Sequence, residues 1–198
     1  QGYSVAILSF ADPIKTMMRD VLKIHRDREK QTFTKFHKHD INDAIVALIA
    51  DSCSKINLRC SIFSITQVVN KFSDEIFEEY KKIGTDEHDV GFRRMMQLIG
   101  TEIGRGFYED LWADFSAMRI ARISNHVDVI IFDDVRFINE ASMLVNFCTR
   151  IYGVIASDEI RSKRRKVNEE ISAHQSESEI SKIFEFYINP ETDYIYNG

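Results

Sequence analysis

One stretch limits the possible folds of this chain more than any other. Residues 127–132 are almost continuously apolar and rich in β-branched side chains, and the run ends abruptly in Asp133 and Asp134, with Arg136, Asn139 and Glu140 close behind. Such a run is typical of a strand buried on both faces of a parallel sheet. Ligands of open α/β sheets bind just beyond the carboxyl ends of the strands. The stretch therefore predicts a ligand site, and the simpler alternative is a capped strand end with Arg136 paired to an aspartate.

Two further buried-strand patterns flank this stretch. Residues 4–10 and 150–156 are apolar in the same way, and residues 138–147 have helical spacing. Strand, helix and strand of this length predict a right-handed βαβ unit. We therefore expect parallel neighbours in one sheet at 4–10, 127–133 and 150–156. Shorter apolar runs predict two more strands at 184–188 and 193–196.

Helical spacing dominates the region between the first two predicted strands. Asp12 suits the N-cap of a helix over about 14–22, and Pro13 suits its first turn. Apolar residues recur at helical spacing over 41–49 and 65–80, so residues 41–82 are expected to be mostly helical. Three histidines in the polar segment before them have no i, i+4 pair, so a metal site is not expected there.

Three glycines follow another helical stripe within seven residues, at Gly100, Gly104 and Gly106. A glycine inside a helix costs roughly 1 kcal/mol relative to alanine, so a close approach by a ligand or a second helix is expected. Trp112, the only tryptophan, is predicted to begin a helix that runs to about Ile123. It either borders a ligand or lies in the core.

Composition excludes several classes of protein. The net charge of −5 argues against general nucleic-acid binding, which needs a basic face. No apolar run approaches the roughly 20 residues of a membrane span, so no membrane partner is expected. Three cysteines without a CxxC pair indicate reduced thiols in a cytosol-like compartment. A chain of 198 residues is expected to form one domain.

Five motifs occur in an order that resembles the phage and viral deoxynucleoside monophosphate (dNMP) kinases. These enzymes are P-loop kinases, related in fold to animal phosphomevalonate kinase. The motifs are residues 9–15, residues 93–102, Trp112, residues 133–140 and residues 174–177. The resemblance implies one α/β kinase-like domain over 1–198, with a parallel sheet sandwiched by helices. It also implies a helical insertion at about 25–90 and a basic lid at about 158–177.

The resemblance also implies an activity. Such a kinase transfers the γ-phosphoryl group of ATP, with Mg²⁺ as cofactor, to a dNMP and produces the diphosphate. Its partners are small-molecule nucleotides, and its setting is viral nucleotide metabolism in the host cytoplasm. The resemblance leaves open whether the protein forms a homodimer.

Site residues follow from the same motifs. The acceptor phosphate is expected near a set of basic residues, with two polar neighbours in the same substrate-binding set: Lys15, Arg93 or Arg94, Arg136, Asn139 and Glu140. The nucleoside is expected beside Gly100, Thr101 and Trp112. Asp133 or Asp134 corresponds to the carboxylate that orients Mg²⁺, with Asp133 as the metal ligand.

The remaining implied roles concern catalysis and ATP. Asp12 is a candidate general base by position only. The lid arginines Arg161, Arg164 and Arg165 are expected over the triphosphate, and Asn197 is expected near the adenine.

One element of the family is missing from this sequence. The phosphate-binding loop G-x-x-x-x-G-K-[ST] precedes the second strand of the family by about 20 residues. Here only residues 1–3 precede that strand, and none of the eight glycines is followed by lysine. We therefore expect a fragment of a kinase, with poor ATP binding by the chain alone. The alternatives are an inactive kinase-like fold used as a structural or binding protein, and a kinase of another phosphorylated acceptor.

Overall fold

The structure of the protein is a computed structural model. The structure describes residues 2–31, 34–147, 150–157, 159–160, 175–189, 191 and 193–196. Over these residues it is mixed α/β, with seven α-helices and two parallel two-stranded sheets, so the α/β class is confirmed. The chain divides into two units, Gln1–Asp133 and Asp134–Gly198, and each is described by itself. The expectation of one domain stays a prediction.

The strand pair of the first unit joins distant parts of the sequence. Strand β1 (Val5–Leu8) and strand β2 (Val129–Phe132) are parallel, with Val5 opposite Val129 and Leu8 opposite Phe132. This pairing confirms the prediction for the first two strands. The predicted burial of β2 on both faces is wrong, because Val129 and Ile131 are exposed, as are their β1 neighbours Val5 and Ile7. Side chains alternate between the faces of a strand, so one face of this pair is left open.

Helices make up most of the first unit. Their bounds are Asp12–Asp20 (α1), Lys38–Lys55 (α2), Ile62–Lys82 (α3), His88–Gln97 (α4) and Leu111–Ile123 (α5), with a 3₁₀ turn at Arg28–Lys30 and a π-helix at Leu98–Arg105. The predicted helical character of 41–82 is confirmed. None of the described helices is both long and apolar enough to cross a membrane.

One hydrophobic core holds these helices together. Ile41, Ile45 and Ile49 form a stripe along α2 and pack in the same buried cluster as Ile65 and Val69 of α3. Spacings of three and four residues place such side chains on one helix face, which is why the sequence pattern located these helices correctly. The cluster also includes side chains of α1, α4, the π-helix and α5.

The start of α1 differs by one residue from its prediction. Ala11, and not Asp12, occupies the N-cap, and Asp12 is the first helical residue. The Asp12 carboxylate turns back instead and accepts a hydrogen bond from the Ser9 backbone N–H at 2.9 Å. Pro13 lies in the first turn, as predicted, where its missing N–H has no cost.

A buried histidine joins two loops of the first unit. His88 is 1% exposed, and its Nδ1 accepts a hydrogen bond from the Gly84 N–H at 3.0 Å. Its Nε2 therefore carries the proton and donates to the His25 carbonyl oxygen at 2.8 Å. The imidazole thus ties the turn after α3 to the segment after α1.

The second unit is smaller. It contains α6 (Ile138–Val145), β3 (Gly153–Ile155), α7 (Gln175–Tyr187) and β4 (Tyr194–Tyr196), and β3 pairs with β4 in parallel. The prediction that the third strand joins the first two in one sheet is therefore wrong. The predicted strand at 184–188 is also wrong, because Phe184–Tyr187 is the last turn of α7. A short apolar run does not by itself distinguish a strand from a buried helix end.

Candidate functional site

The carboxyl ends of β1 and β2 lie side by side, because the two strands are parallel and in register. The Asp133 N–H donates to the Leu8 carbonyl oxygen at 3.3 Å, so the residue after β2 lies beside the end of β1. The Asp133 side chain is exposed and has no hydrogen-bond or ion-pair partner among the described residues. A solvent-facing carboxylate therefore stands at this sheet edge, which is the edge where ligands of parallel sheets bind.

Four residues just beyond β1 and on α5 form a connected group, called here the strand-end cluster: Ser9, Asp12, Lys15 and Arg119. Buried Ser9 is its centre, because its hydroxyl accepts a hydrogen bond from Lys15 Nζ at 2.7 Å and its N–H donates to Asp12 Oδ2. The Arg119 guanidinium donates to Asp12 Oδ2 at 2.9 Å and to the Ser9 carbonyl at 3.3 Å. These bonds fix two cations and one carboxylate at the strand end.

The charges of the strand-end cluster favour an anion. Lys15 and Arg119 carry two positive charges, and Asp12 balances one of them. Lys15 is exposed and has three N–H donors, of which Ser9 engages one. Phosphate oxygens are strong acceptors for such charged donors. The cluster can therefore orient a phosphate at the strand end, and Asp12 is held by two donors rather than free to move.

Arg119 is the member of this cluster that the sequence analysis missed. It lies on α5 within a mostly apolar helix, and its partner Asp12 is 107 residues away in the chain. No local spacing signals such a pair. The sequence gives no other signal, because Arg119 is one of three charged residues on α5, with Asp114 and Arg122.

A cleft of about 490 Å³ lies between α1, α2 and α5. Asp12 and Arg119 line it, so it adjoins the strand-end cluster. Its remaining walls are mainly apolar and include Met17, Leu48 and Phe115. Pockets for small molecules typically measure about 300–1,000 Å³ and combine apolar walls with a few polar groups. The cleft volume lies in this range, and six of its sixteen lining residues are charged, three of them aspartates.

Charged residues of α2 and α5 also line the cleft. Lys55 pairs with Asp51 at 2.6 Å, and its Nζ lies 5.7 Å from the centroid of the Phe115 ring. Arg122 is exposed and has no partner among the described residues. The cleft lining thus includes one guanidinium with no partner among the described residues.

The two adjacent arginines of α4 differ in their availability. Arg94 donates through Nε and Nη2 to Glu75 Oε1 at 2.9 and 2.6 Å. Arg93 is exposed and has no partner in the described part of the chain. Of the two alternatives that the resemblance left open for the acceptor phosphate, Arg93 is the one with its donors unengaged.

The glycine-rich segment and the tryptophan pack on each other. Trp112 is 3% exposed, and its indole Nε1–H donates to the Gly100 carbonyl at 2.7 Å. A Cβ placed on Gly104 would lie only 2.5 Å from Trp112 Cζ2. The close approach that the glycines predicted is therefore made by an indole, and Trp112 lies in the core, as the simpler alternative had it. Thr101 and Gly100 are half-buried beside it in the π-helix.

Four of the predicted site residues in the second unit are among the described residues: Asp134, Arg136, Asn139 and Glu140. Glu140 is 3% exposed, and its Oε2 accepts hydrogen bonds from the backbone N–H groups of Arg136 at 2.9 Å and Phe137 at 3.1 Å. This carboxylate therefore caps the start of α6, which is a structural task. Arg136 is exposed, whereas Asp134 and Asn139 are half-buried.

Several predicted residues lie outside the described residues. They are the lid arginines Arg161, Arg164 and Arg165, the motif residue His174 and the adenine-site candidate Asn197. Their roles stay predictions.

A magnesium ion is compatible with the donors at the strand end. Mg²⁺ prefers oxygen ligands and in kinases is held by one or two carboxylates together with substrate phosphates and water. The unpaired, exposed carboxylate of Asp133 fits this requirement. In the described ranges no group of three or more His, Cys, Asp or Glu residues is placed to hold a metal ion, so an ion here would depend on the substrate for further ligands.

Comparisons of the chain with protein-family models, with curated proteins and with solved structures gave no match. The function is therefore inferred from the residues and geometry of the site itself.

Proposed function

We propose that this protein is a nucleotide kinase with the P-loop kinase fold, which transfers the γ-phosphoryl group of ATP to a dNMP. The observation that carries the proposal is the strand-end cluster, with its two cations, at the carboxyl edge of a parallel strand pair and beside a nucleotide-sized cleft. The order of the five sequence motifs supports the same class of enzyme. Each feature alone fits many proteins, and their coincidence favours phosphoryl transfer.

The chemistry in this proposal is positioning and charge neutralisation. A phosphate oxygen of the acceptor forms a bond to the γ-phosphorus of ATP, and the bond between that phosphorus and the leaving ADP oxygen breaks. Lys15 binds the acceptor phosphate, and Arg119 keeps Asp12 and the Ser9 segment in place beneath it. Asp133 would hold Mg²⁺, which neutralises charge on the β- and γ-phosphoryl oxygens when bound.

In this proposal the nucleoside occupies the cleft between α1, α2 and α5. Asp12 and Arg119 of the strand-end cluster line the cleft, so a phosphate held by Lys15 would lie near it. Its apolar walls suit a base and a deoxyribose ring. Trp112 then supports the site from the core, through its bond to Gly100, and does not stack on the base.

The proposal is tested by isothermal titration of the protein with each of the four common dNMPs. Lys15→Ala is the test variant. Lys81→Ala is the matched control, since Lys81 is exposed on α3, where it pairs with Glu78 and lies 5.0 Å from the centroid of the Phe77 ring. A hydrogen bond to a charged group contributes about 1.5–3 kcal/mol, so Lys15→Ala should weaken dNMP binding by about tenfold or more. Lys81→Ala should leave the affinity unchanged.

Two results would contradict the proposal. The first is that no dNMP binds, which would favour the kinase-like structural or binding protein. The second is that Lys15→Ala and Lys81→Ala bind dNMPs equally well, which would place the acceptor phosphate elsewhere. Turnover of a panel containing the dNMPs and phosphomevalonate, with ATP and Mg²⁺ and with a chain that includes the phosphate-binding loop, separates the proposed kinase from a kinase of another acceptor.

A further inference from the structure

The wall that α2 contributes to the cleft includes a charged pair near the end of the helix. Five residues of α2 recur at helical spacing and line the cleft: Ala44, Ala47, Leu48, Asp51 and Lys55. This spacing places them on one face of the helix. The two alanines are small and leave room beside them, and the polar part of this face is the pair of Asp51 and Lys55. The α2 wall is therefore apolar along most of its length and polar at one end.

Two contacts hold the Lys55 ammonium in place. Its Nζ donates to Asp51 Oδ2 at 2.6 Å and lies 5.7 Å from the centroid of the Phe115 ring. Asp51 precedes Lys55 by one helical turn, which is the favourable order for such a pair. An exposed ion pair contributes little to stability by itself. Its position in the cleft lining, and not its strength, therefore points to a role in binding.

Both members of the pair keep hydrogen-bonding capacity. Lys55 Nζ has three N–H donors, of which Asp51 engages one, and Asp51 Oδ1 has no partner among the described residues. The other two aspartates of the cleft lining differ from it. Both carboxylate oxygens of Asp20 accept hydrogen bonds from Arg19, at 2.6 and 2.8 Å, and Asp12 belongs to the strand-end cluster. Outside that cluster, Asp51 is thus the aspartate of the lining with an oxygen left for a ligand.

The pair offers a ligand one donor beside two acceptors, in the order Lys55 Nζ, Asp51 Oδ2 and Asp51 Oδ1. The Watson–Crick edge of guanine has the complementary order, which is the O6 acceptor followed by the N1–H and N2–H donors. Adenine and cytosine have a ring-nitrogen acceptor at the centre of this edge, and thymine has its O2 acceptor at the third position. Each of these acceptors would meet a carboxylate oxygen with no hydrogen between them. Guanine is therefore the common DNA base that matches the pair at all three positions.

We propose that the cleft is a guanine site and that the preferred acceptor is deoxyguanosine monophosphate (dGMP). Asp51 accepts hydrogen bonds from N1–H and N2–H of the base, and Lys55 donates to its O6. This inference rests on the proposed function, which places the nucleoside in this cleft. Lys15 binds the phosphate that all dNMPs share, whereas the pair on α2 distinguishes the bases by leaving the wrong ones with opposed acceptors.

The test is isothermal titration of the full chain with the four common dNMPs and with deoxyinosine monophosphate (dIMP). The base of dIMP has the O6 and N1–H of guanine and lacks only its N2 amino group. A matched pair of hydrogen bonds to a base edge discriminates by about tenfold or more, so dGMP should bind at least about tenfold more tightly than the other three dNMPs. The affinity for dIMP should lie between that for dGMP and those for the others.

Three variants assign the preference to the pair. Asp51→Ala should remove the difference between dGMP and dIMP, because it removes the acceptor for N2–H. Lys55→Met should weaken dGMP and dIMP by the same factor, because both bases carry O6. Asp20→Ala is the matched control and should keep the difference, since Asp20 lines the same cleft and the side chains of Asp20 and Asp51 are 52% and 57% exposed. Circular dichroism verifies that each variant is folded.

Three results would overturn the guanine preference. They are equal affinity for the four dNMPs, tightest binding of a dNMP other than dGMP, and a difference between dGMP and dIMP that survives Asp51→Ala. In each of these cases the kinase proposal still stands if Lys15→Ala weakens the binding of every dNMP. A chain that binds no dNMP contradicts both proposals.

Discussion

The packing of Trp112 on Gly104 predicts that Gly104→Ala destabilises the protein, although helix propensity favours alanine. Alanine is favoured over glycine inside a helix by about 1 kcal/mol. Gly104 does not have a left-handed backbone, so alanine is not excluded by its conformation. A Cβ there would nevertheless lie 2.5 Å from Trp112 Cζ2 and 2.8 Å from both Cε2 and Nε1. Carbon atoms in favourable contact are about 3.5–4.0 Å apart, so the indole must move by about 1 Å.

The cost of that movement follows from the contacts of the indole. Overpacking of a core typically costs about 1–3 kcal/mol. The shift also strains the 2.7 Å hydrogen bond from Trp112 Nε1 to the Gly100 carbonyl, which contributes about 1 kcal/mol. After the gain in helix propensity is subtracted, Gly104→Ala should lower the free energy of unfolding by about 2 kcal/mol. For a chain of 198 residues this corresponds to a melting temperature lower by about 4–8 °C.

Gly106→Ala is the matched control. The nearest atom to a Cβ there is the Thr101 carbonyl oxygen at 3.9 Å, and its φ of −64° suits alanine. This variant should be neutral or more stable by up to about 1 kcal/mol. Urea unfolding followed by the fluorescence of the single tryptophan measures both variants. The reasoning is refuted if Gly104→Ala is as stable as Gly106→Ala, because the indole would then yield at no cost.

Two further predictions concern stability. His88→Ala leaves the Gly84 N–H and the His25 carbonyl without their partner in a buried site, so urea unfolding should show a loss of about 2–4 kcal/mol. The side chain of His39 is 72% exposed, so the control His39→Ala should change the free energy of unfolding by less than about 0.5 kcal/mol. Equal effects of the two substitutions would show that the two hydrogen bonds of His88 do not stabilise the fold. The hydroxyl and then the backbone N–H of Ser4 hold the pKa of Asp128 below its usual range. A lowered folded-state pKa stabilises the protein above the unfolded value, and this stability is lost as the pH falls through the folded value. The wild type should therefore melt at a higher temperature than Asp128→Ala at pH 7, and this difference should narrow below about pH 4. A difference that does not change with pH would show that the hydrogen bonds to Ser4 do not cause the stabilisation.

The sequence alone located most helices and strands of the first unit. Apolar residues at helical spacing marked α1, α2, α3 and α5, and the apolar runs marked β1 and β2 with the correct parallel direction. These features are predictable because the period of apolar residues is a local property that the backbone geometry of helices and strands imposes. The same patterns placed Asp12, Lys15 and Asp133 at strand ends.

Only the tertiary structure decided which distant residues meet. β3 pairs with β4 and not with β2. The sequence did not predict this pairing, because strand pairing depends on contacts that no local window of the sequence contains. The ring of Phe184, in the last turn of α7, packs over Gly153 and beside Tyr194, and no local window of the sequence contains these contacts. Arg119 joins Asp12 across 107 residues, and Trp112 fills the space that Gly104 leaves. Residue types and spacing thus determined the elements and the candidate cations, whereas packing and long-range hydrogen bonds determined which of them form one site.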